Sequence, residues 1–151
     1  MEDQTITIRR LGPEDARVLD RVAKGVFDLA VDPDHTAAFL ASEAHEMVVA
    51  LADGLVVGMA SGVVYLHPDK PPQFWINEVG VGDDWLRRGI GTRLMTAILA
   101  VGHERGCGYA WLGTEAGNAA ARGLYRKAQG RETEGLVIFE WGEDPETAHG
   151  A

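Results

Sequence analysis

The sequence predicts one mixed α/β domain, because runs with strand character alternate with runs that have a helical period. Residues 46–66 form two apolar runs joined at Asp53-Gly54, a pair that favours a tight hairpin turn. Residues 74–99 change from a β-branched and aromatic run to apolar residues at helical spacing. A chain of 151 residues can bury a substantial core. We therefore expect a single domain over residues 1–151, with a flexible polar tail at 142–151.

The first part of the chain predicts a strand followed by two helices. Residues 5–11 alternate apolar and polar side chains, as a half-buried strand does. The run Gly12-Pro13-Glu14-Asp15 favours a helix start, because proline and acidic residues suit a first turn. The inner face of that helix would consist of Leu19, Val22, Ala23 and Val26. Asp34 is placed to cap a second, short helix at 35–42.

The rest of the chain predicts five more strands and two more helices. The strands are expected at 46–52, 55–66, 74–81, 109–115 and 136–141. One helix begins at Ile90 and ends near Gly106, where glycine suits a C-cap, and Asn118 opens the other.

The turn that joins the strand at 74–81 to the following helix, Leu86 to Gly91, predicts an anion-binding site. The first backbone N–H groups of a helix lack intrahelical partners and lie at the positive end of its dipole. Gly89 and Gly91 allow a ligand close to the backbone, and Arg87 and Arg88 add positive charge. We call residues 86–91 the anion turn and predict that it binds phosphate. A helix entrance with surface arginines and no ligand is the alternative.

Two common phosphate-binding loops are excluded by the sequence. No run in the chain has the pattern Gly-x-x-x-x-Gly-Lys-Ser/Thr of a P-loop. A dinucleotide fingerprint needs a third glycine at the position of Leu94.

Composition narrows the class of protein. With 23 acidic and 14 basic residues the net charge is −9, which argues against nucleic acid as a partner. An acidic cleft would attract a cationic substrate, although acidic surfaces also serve solubility alone. We expect no membrane span, no secretory signal and a cytoplasmic location, which a single cysteine suits. Cys107 is either an acyl-accepting nucleophile or, as we favour, an ordinary thiol. No metal site is expected, because His45 and His67 have no partners at ligand spacing.

Two motifs resemble the GNAT acetyltransferase family. Glu-Val-Gly-Val at 78–81, followed by Arg-Arg-Gly-Ile-Gly-Thr-Arg-Leu at 87–94, resembles its acyl-coenzyme A motif, and 118–128 resembles its next helix. The resemblance covers residues 5–141. It implies a mixed, mostly antiparallel sheet of six to seven strands flanked by about four helices, with the fourth and fifth strands splayed apart. Leu86 stands where the motif has Gln or Arg, so a backbone N–H is expected to act there.

The resemblance also implies acetyl-CoA as the cofactor and a set of residues that bind it. These are Val79, Gly80, Val81, Leu86, Arg87, Arg88, Gly89, Ile90, Gly91, Thr92, Asn118 and Tyr125. Gly80 would mark the strand bulge of the family, and Asn118 would contact the cofactor or only cap its helix. Tyr125 would protonate the departing thiolate, or it would only pack.

Glu78 is the leading candidate for the acceptor side of the reaction. An ionisable group in an apolar strand is usually paired or functional, and a carboxylate can take the proton of an amine or anchor its charge. The candidate substrate contacts are Asp28, Asp32, Asp34, Glu78 and Glu115. For the three aspartates, turn and capping roles are the alternative.

Outside the cofactor motif, the sequence more loosely resembles the aminoglycoside 3-N-acetyltransferase branch of the family. It implies an aminoglycoside acceptor, a role in antibiotic resistance and, as is frequent in the family, a homodimer. Another small amine, or a peptide or protein amino group, is the alternative acceptor. Two alternatives belong to other classes of protein. They are a non-catalytic acyl-CoA sensor and a nucleotide-binding domain unrelated to acyl transfer.

Overall fold

The computed structural model of the chain describes residues 4–148, and its five strands form one sheet. The strands are β1 (Ile6–Arg10), β2 (His45–Ala52), β3 (Leu55–Tyr65), β4 (Gln73–Val81) and β5 (Tyr109–Trp111). The α-helices are α1 (Pro33–Ala41), α2 (Ile90–Glu104), α3 (Ala119–Lys127) and α4 (Pro145–Ala148). Two 3-10 helices span Ala16–Asp20 and Asp83–Trp85. No helix within 4–148 is long and apolar enough to cross a membrane.

The strands lie side by side in chain order. The first four are antiparallel, and β5 runs parallel to β4. Asp53 and Gly54 both have positive φ, as a two-residue hairpin turn with the twist of its strands requires. The predicted mixed, mostly antiparallel α/β fold is confirmed, but the described residues form five strands instead of six to seven.

The sheet separates two apolar clusters because strand side chains alternate between its faces. The apolar side of α2, including Leu94 and Ile98, packs on one face. Leu19, Val26 and Leu40 cover the other face, so the 3-10 helix and α1 lie opposite α2. The side chains of α3 that pack inward, such as Leu124, join the cluster on the α2 side.

A bulge in β4 reverses which side chains face α2. The pairing with β3 skips Asn77, since Ser61 pairs with Glu78 while Gly62 pairs with Ile76. Before the bulge Ile76 packs on the α2 side, and after it Val79 does so. Glu78 therefore points to the opposite face and is exposed. The bulge lies at Asn77, so the prediction that Gly80 marks it is wrong.

β4 and β5 separate after a short contact. They pair only from Gln73 to Trp75, opposite Tyr109 to Trp111. Beyond Trp75, no strand of the described chain covers the outer edge of β4, and this leaves a gap beside Val79, Gly80 and Val81. The splay of the fourth and fifth strands is confirmed.

The first predicted helix is wrong in its secondary structure. Only a 3-10 turn forms at Ala16–Asp20, and the chain then bonds to β3, with Ala23 N donating to Val56 O at 2.8 Å. Gly25 has a φ of 92°, which a helix does not allow. The predicted inner side chains nevertheless reach the core, where Leu19 and Val26 are buried.

Two further predictions need correction. The short helix is capped by Asp32, whose side chain accepts a hydrogen bond from His35 N at 2.9 Å, and Asp34 lies in its first turn instead. The strand predicted at 109–115 ends at Trp111, and residues 136–141 form no strand at all. Within the described residues, neither 112–115 nor 136–141 has a neighbouring strand to pair with, and a β-strand forms only when it pairs with another.

The predicted polar tail at 142–151 contains the helical turn α4, Pro145–Ala148. Residues 149–151 lie outside the described residues. The flexibility of the tail stays a prediction.

Candidate active site

The backbone of the anion turn has an unusual conformation. Arg87 has a φ of 63° and Gly89 a φ of 76°, and the first is a value that a non-glycine residue rarely adopts. Alternating left-handed positions turn successive N–H groups toward one side, as anion-binding loops do. Strained backbone of this kind concentrates at ligand sites.

The start of α2 leaves room for an anion. Gly89 is the N-cap residue, and no side chain caps the helix. A Cβ atom at Gly89 would meet nothing within 4 Å, so the space beside this backbone is open. At Gly91, a Cβ would lie 3.2 Å from Leu124, and its absence lets α2 and α3 pack closely. The first N–H groups of α2 are therefore available to a phosphate.

Two arginines add charge beside these amides. Arg87 and Arg88 are both exposed. The Arg88 guanidinium lies 4.8 Å from the centre of the Trp85 ring, and its Nη2 donates to Asp84 O at 3.4 Å. The stacking contact holds the positive charge close to the turn. Leu86 is exposed as well, so only its backbone is suited to a polar contact.

The start and middle of α3 carry two more of the residues predicted to bind the cofactor. Asn118 caps the helix, since its Oδ1 accepts from Ala121 N at 3.0 Å. Its side-chain amide can still donate to a ligand. Tyr125 is half-buried and packs on the α2 side of the sheet, and this burial raises the pKa of its hydroxyl. Tyr125 is therefore protonated at neutral pH and able to donate a proton.

Glu78 lies on the face of the sheet opposite α2, beside the gap between β4 and β5. Although it is exposed, surrounding protein desolvates its carboxyl and raises the pKa, and the negative charge of Asp28 raises it further. Glu146 of α4 joins them: hydrogen bonding to Asp28 raises the pKa of Glu146, and so does the charge of Glu78. We call Asp28, Glu78 and Glu146 the acceptor carboxylates. Like charges this close favour a cation among them.

A glycine brings Asp28 to this place. A Cβ on Gly80 would lie 2.1 Å from Val26 O, so only glycine lets the loop around Val26 rest on β4. The same loop is fixed to the connection after β4, because Asp83 N donates to Lys24 O at 2.9 Å. Asp28 is among the residues between Leu19 and Val31 that line an open groove of about 440 Å³.

The structure does not bring the other predicted substrate contacts into this group. Asp32 is held as the helix cap, and its hydrogen bond from His35 N lowers the pKa of the carboxyl. Asp34 and Glu115 are exposed, and neither is among the charges that act on Glu78.

One residue that sequence reasoning missed is Glu146. The polar composition of the tail gives no sign that it returns to Asp28, more than 100 residues earlier in the chain. The bulge at Asn77 was also missed, although Asn interrupts the apolar run of the strand.

Cys107 is not positioned as a nucleophile. It is buried among the side chains that pack under α2, and burial raises the pKa of its thiol. A neutral, buried thiol attacks poorly. This outcome agrees with the interpretation as an ordinary thiol.

The anion turn, the open edge of β4 and the protonated tyrosine define a class of protein, an acyltransferase that binds a phosphate-bearing acyl carrier between splayed strands. The model of the acetyltransferase (GNAT) family matches residues 20–130. The chain belongs to this family and is an acetyl-CoA-dependent N-acetyltransferase. No curated protein matches the sequence at a significant level.

Similar solved structures share the fold at low identity. An aminoglycoside acetyltransferase, meta-AAC0020, from an uncultured soil metagenomic sample, solved with sisomicin, has a TM-score of 0.79 at 22% identity, over 92% of this chain and 97% of that one. Aminoglycoside N-acetyltransferase AAC(6′)-Iy in complex with CoA has a TM-score of 0.70 at 17% identity, over 93% and 97%. Ribosomal-protein-alanine N-acetyltransferase from Brucella melitensis biovar Abortus 2308 has a TM-score of 0.68 at 17% identity, over 91% of this chain and 100% of that one.

Acetyl-CoA fits the residues present. The unpaired amides and open space at Gly89 suit its phosphates, and the uncovered edge of Val79, Gly80 and Val81 suits amide groups that need backbone partners.

Proposed function

We propose that the protein acetylates a primary amine of a small cationic substrate in the cytoplasm, and that the substrate is an aminoglycoside. The observation that carries this proposal is the proximity of Asp28, Glu78 and Glu146 at the open edge of β4. Three carboxylates beside the cofactor site favour an acceptor with several ammonium groups over one with a single charge. Such an activity would confer antibiotic resistance.

Glu78 has one of two roles in this proposal. Bound acetyl-CoA supplies the acetyl thioester, and the acceptor amine must lose a proton to attack it. A carboxylate with a raised pKa is a better base than an ordinary one, so Glu78 is suited to take that proton directly or through water. The alternative is that Glu78 only anchors the ammonium group of the substrate.

Tyr125 would protonate the sulfur that leaves. The supporting observation is that it packs on the α2 side of the sheet while Glu78 lies on the opposite face. A proton acceptor and a proton donor would thus approach the gap between β4 and β5 from opposite sides. The other cofactor contacts are proposed as predicted, through the backbone of Val79, Gly80 and Val81 and through residues 86–92 and Asn118.

The position acetylated is part of the proposal. The sequence resemblance favours the 3-amino group of the aminoglycoside. The 6′ position, which the name of one structural neighbour carries, is the alternative. Mass spectrometry with NMR of the acetylated product distinguishes the two.

A peptide or protein amino group is the second candidate acceptor. Its support is the similar fold of the ribosomal-protein-alanine N-acetyltransferase. The acceptor carboxylates argue against it, because an N-terminal alanine carries a single ammonium group. A pure acyl-CoA sensor would need neither Glu78 nor Tyr125.

The first test measures release of coenzyme A from acetyl-CoA with a panel of amines. The panel holds gentamicin-type and kanamycin-type aminoglycosides, spermidine, single amino acids and short peptides. We expect rapid turnover with aminoglycosides only. Rapid turnover with peptides alone would overturn the proposal in favour of the second candidate.

Variants then separate the two roles of Glu78. We expect Glu78→Gln to reduce kcat by roughly 10²–10⁴-fold and to remove the rise of activity with pH that follows ionisation of the carboxyl. A change confined to the acceptor KM would assign Glu78 as an anchor. Glu115→Gln is the matched control. The double variant Glu78→Gln/Tyr125→Phe should bind acetyl-CoA without turnover, and retained turnover would contradict both assignments.

A further inference from the structure

We propose that Asn77 selects the acceptor: its side-chain amide donates a hydrogen bond to an oxygen on the carbon next to the one that carries the reacting amine. The inference deepens the proposed function and rests on it, because it places Glu78 at that amine. It gives a binding role to Asn77, which belongs to none of the sequence motifs, and a positioning role to Ser61.

The bulge in β4 places two consecutive side chains on the same face of the sheet. Ile76 before it and Val79 after it both pack on the α2 side. The pairing with β3 skips Asn77, so Asn77 and Glu78 both turn to the face opposite α2, and both are exposed. In a regular strand, consecutive side chains point to opposite faces. The bulge therefore brings an amide and a carboxylate together on the acceptor side.

Close contacts on either side hold the extra residue in its place. Before the bulge, a Cβ on Gly62 would lie 2.3 Å from the ring of Phe74, so the ring packs directly against the backbone of β3. After the bulge, a Cβ on Gly80 would lie 2.1 Å from Val26 O, so the loop around Val26 rests on β4. A shift of register would break these contacts, and the extra residue therefore stays at Asn77.

Ser61 fixes the orientation of the Asn77 amide. Ser61 is only 2% exposed, and its hydroxyl donates a hydrogen bond to Asn77 Oδ1 at 3.0 Å. A buried hydroxyl without a partner is costly, so the oxygen of the amide is held toward β3. The amide nitrogen is the other branch of this planar group and lies on the exposed side. Its N–H groups can therefore donate to a ligand that contacts Glu78.

An amide donor beside a carboxylate suits a particular class of amine. The Cα atoms of consecutive residues are about 3.8 Å apart, so their side chains can hold two neighbouring groups of one ligand. Glu78 takes the ammonium group, and Asn77 needs an acceptor oxygen close to it. Amino sugars and amino alcohols offer this oxygen on the next carbon, whereas polyamines and lysine side chains do not.

The charge of the site separates amino sugars from peptides. The amino terminus of a peptide also has an oxygen nearby, in its first carbonyl group, but it carries one ammonium group. Asp28 and Glu146 lie beside Glu78 and favour a ligand with several. The amide and the three carboxylates together favour an amino sugar with more than one amine.

The first test titrates the protein, saturated with coenzyme A, with two probes and follows binding by NMR. The probes, 1,3-diamino-2-propanol and 1,3-diaminopropane, carry the same two amino groups and differ in one hydroxyl group. We expect the hydroxylated probe to bind roughly 2- to 10-fold more tightly and to shift the side-chain amide signals of Asn77. Asn77→Ala should remove the difference between the probes. Equal binding or no binding of the two probes, or a difference that persists in Asn77→Ala, would overturn the proposal.

The second test separates acceptor recognition from a structural role. We expect Asn77→Ala to raise the KM for an aminoglycoside roughly 2- to 10-fold and to leave kcat, the KM for acetyl-CoA and the pH dependence assigned to Glu78 unchanged. Ser61→Ala should raise the same KM by a smaller factor, because it only frees the amide to rotate. A fall in kcat with an unchanged acceptor KM would mean that Asn77 only holds the bulge, and the proposal would be wrong.

Tyr65→Phe is the matched control for these variants. The Tyr65 hydroxyl donates to Gln73 Oε1 at 2.7 Å, which joins the same two strands outside the bulge. Its loss should leave the acceptor KM unchanged.

Glu78→Gln, measured alongside, distinguishes failure of this inference from failure of the proposed function. If Glu78→Gln leaves turnover and the acceptor KM unchanged, the proposed function fails. If Glu78→Gln acts as expected but Asn77→Ala does not change the acceptor KM, only the role of Asn77 is wrong. The probe titration needs no turnover, so it tests Asn77 even if aminoglycosides are not acetylated.

Discussion

The inner face of α2 and residues 136–141, which we call the C-terminal segment, are both rich in large apolar residues but have opposite surroundings. Leu94 and Ile98 of the helix are fully buried in the core under the sheet. Ile138 and Trp141 of the segment are 83% and 88% exposed. Apolar composition predicts that a segment will be covered, whereas the arrangement of the whole molecule decides which neighbour covers it.

The charged contacts of the two regions also differ in how deeply they are buried. Glu46 is buried and forms ion pairs with Arg10 of β1 and with Arg105, the C-cap residue of α2. Glu132 and Glu134, before the C-terminal segment, bond to Arg122 at the surface. One network fixes the core, and the other fixes a segment to the outside of the protein.

The largest expected difference is between Leu94→Ala and Ile138→Ala. The first leaves a cavity in the core and should lower the free energy of unfolding by about 2–5 kcal/mol. The second should change it by no more than about 0.5 kcal/mol, because the Ile138 side chain is already exposed. Urea unfolding of both variants gives the comparison. Equal losses would mean that the segment packs within its own chain.

The next effect concerns Glu46. Burial alone would raise the pKa of its carboxyl, but hydrogen bonds from Arg10 and Arg105 together outweigh burial and lower the pKa. The contribution of Glu46 to stability is therefore present above its unfolded pKa, about 4.5, and lost as pH falls through the lower folded value. We expect Glu46→Gln to cost about 1–3 kcal/mol at neutral pH.

Unfolding of Glu46→Gln as a function of pH checks this sign. The difference from the parent protein should shrink below about pH 4. A constant difference across the acid range would contradict the ion-pair explanation.

A smaller effect is expected from Glu146→Gln. Removing one acceptor carboxylate should raise the KM for a polycationic acceptor by roughly 1.4- to 5-fold and leave the KM for acetyl-CoA unchanged. Steady-state kinetics measure both constants. Glu143→Gln, three residues earlier in the exposed tail, is the control and should have no effect. Equal effects of both variants would indicate only general surface charge.

The smallest effect is expected from Arg122→Gln. Hydrogen bonds from Arg122 and Arg126 hold the pKa of Glu132 at about 2. Loss of Arg122 should raise this pKa, with little change in Tm because the contacts are at the surface. A carboxyl NMR titration and thermal unfolding measure the two quantities. Arg126→Gln should have a weaker effect, because it leaves the contacts of Arg122 in place.

Elements that depend on residues close together in the chain could be predicted before the fold was known. The hairpin at Asp53-Gly54, the helix from Ile90, the Asn118 cap and the conformational freedom at Gly89 all follow from turn chemistry, capping and short-range periodicity. The GNAT motif depends on the same local pattern, and so the family and its cofactor could be predicted.

Features that depend on pairing between distant segments are visible only in the folded chain. The direction of Glu78 follows from a bulge that exists only against β3. In place of the first predicted helix, the chain forms backbone hydrogen bonds with Val56. The strand predicted at 136–141 did not form because none of residues 4–148 pairs with it. The proximity of Asp28 and Glu146 brings together residues that lie far apart in the sequence. Propensity acts over a few residues, whereas these outcomes depend on which backbone groups and charges the folded chain brings together.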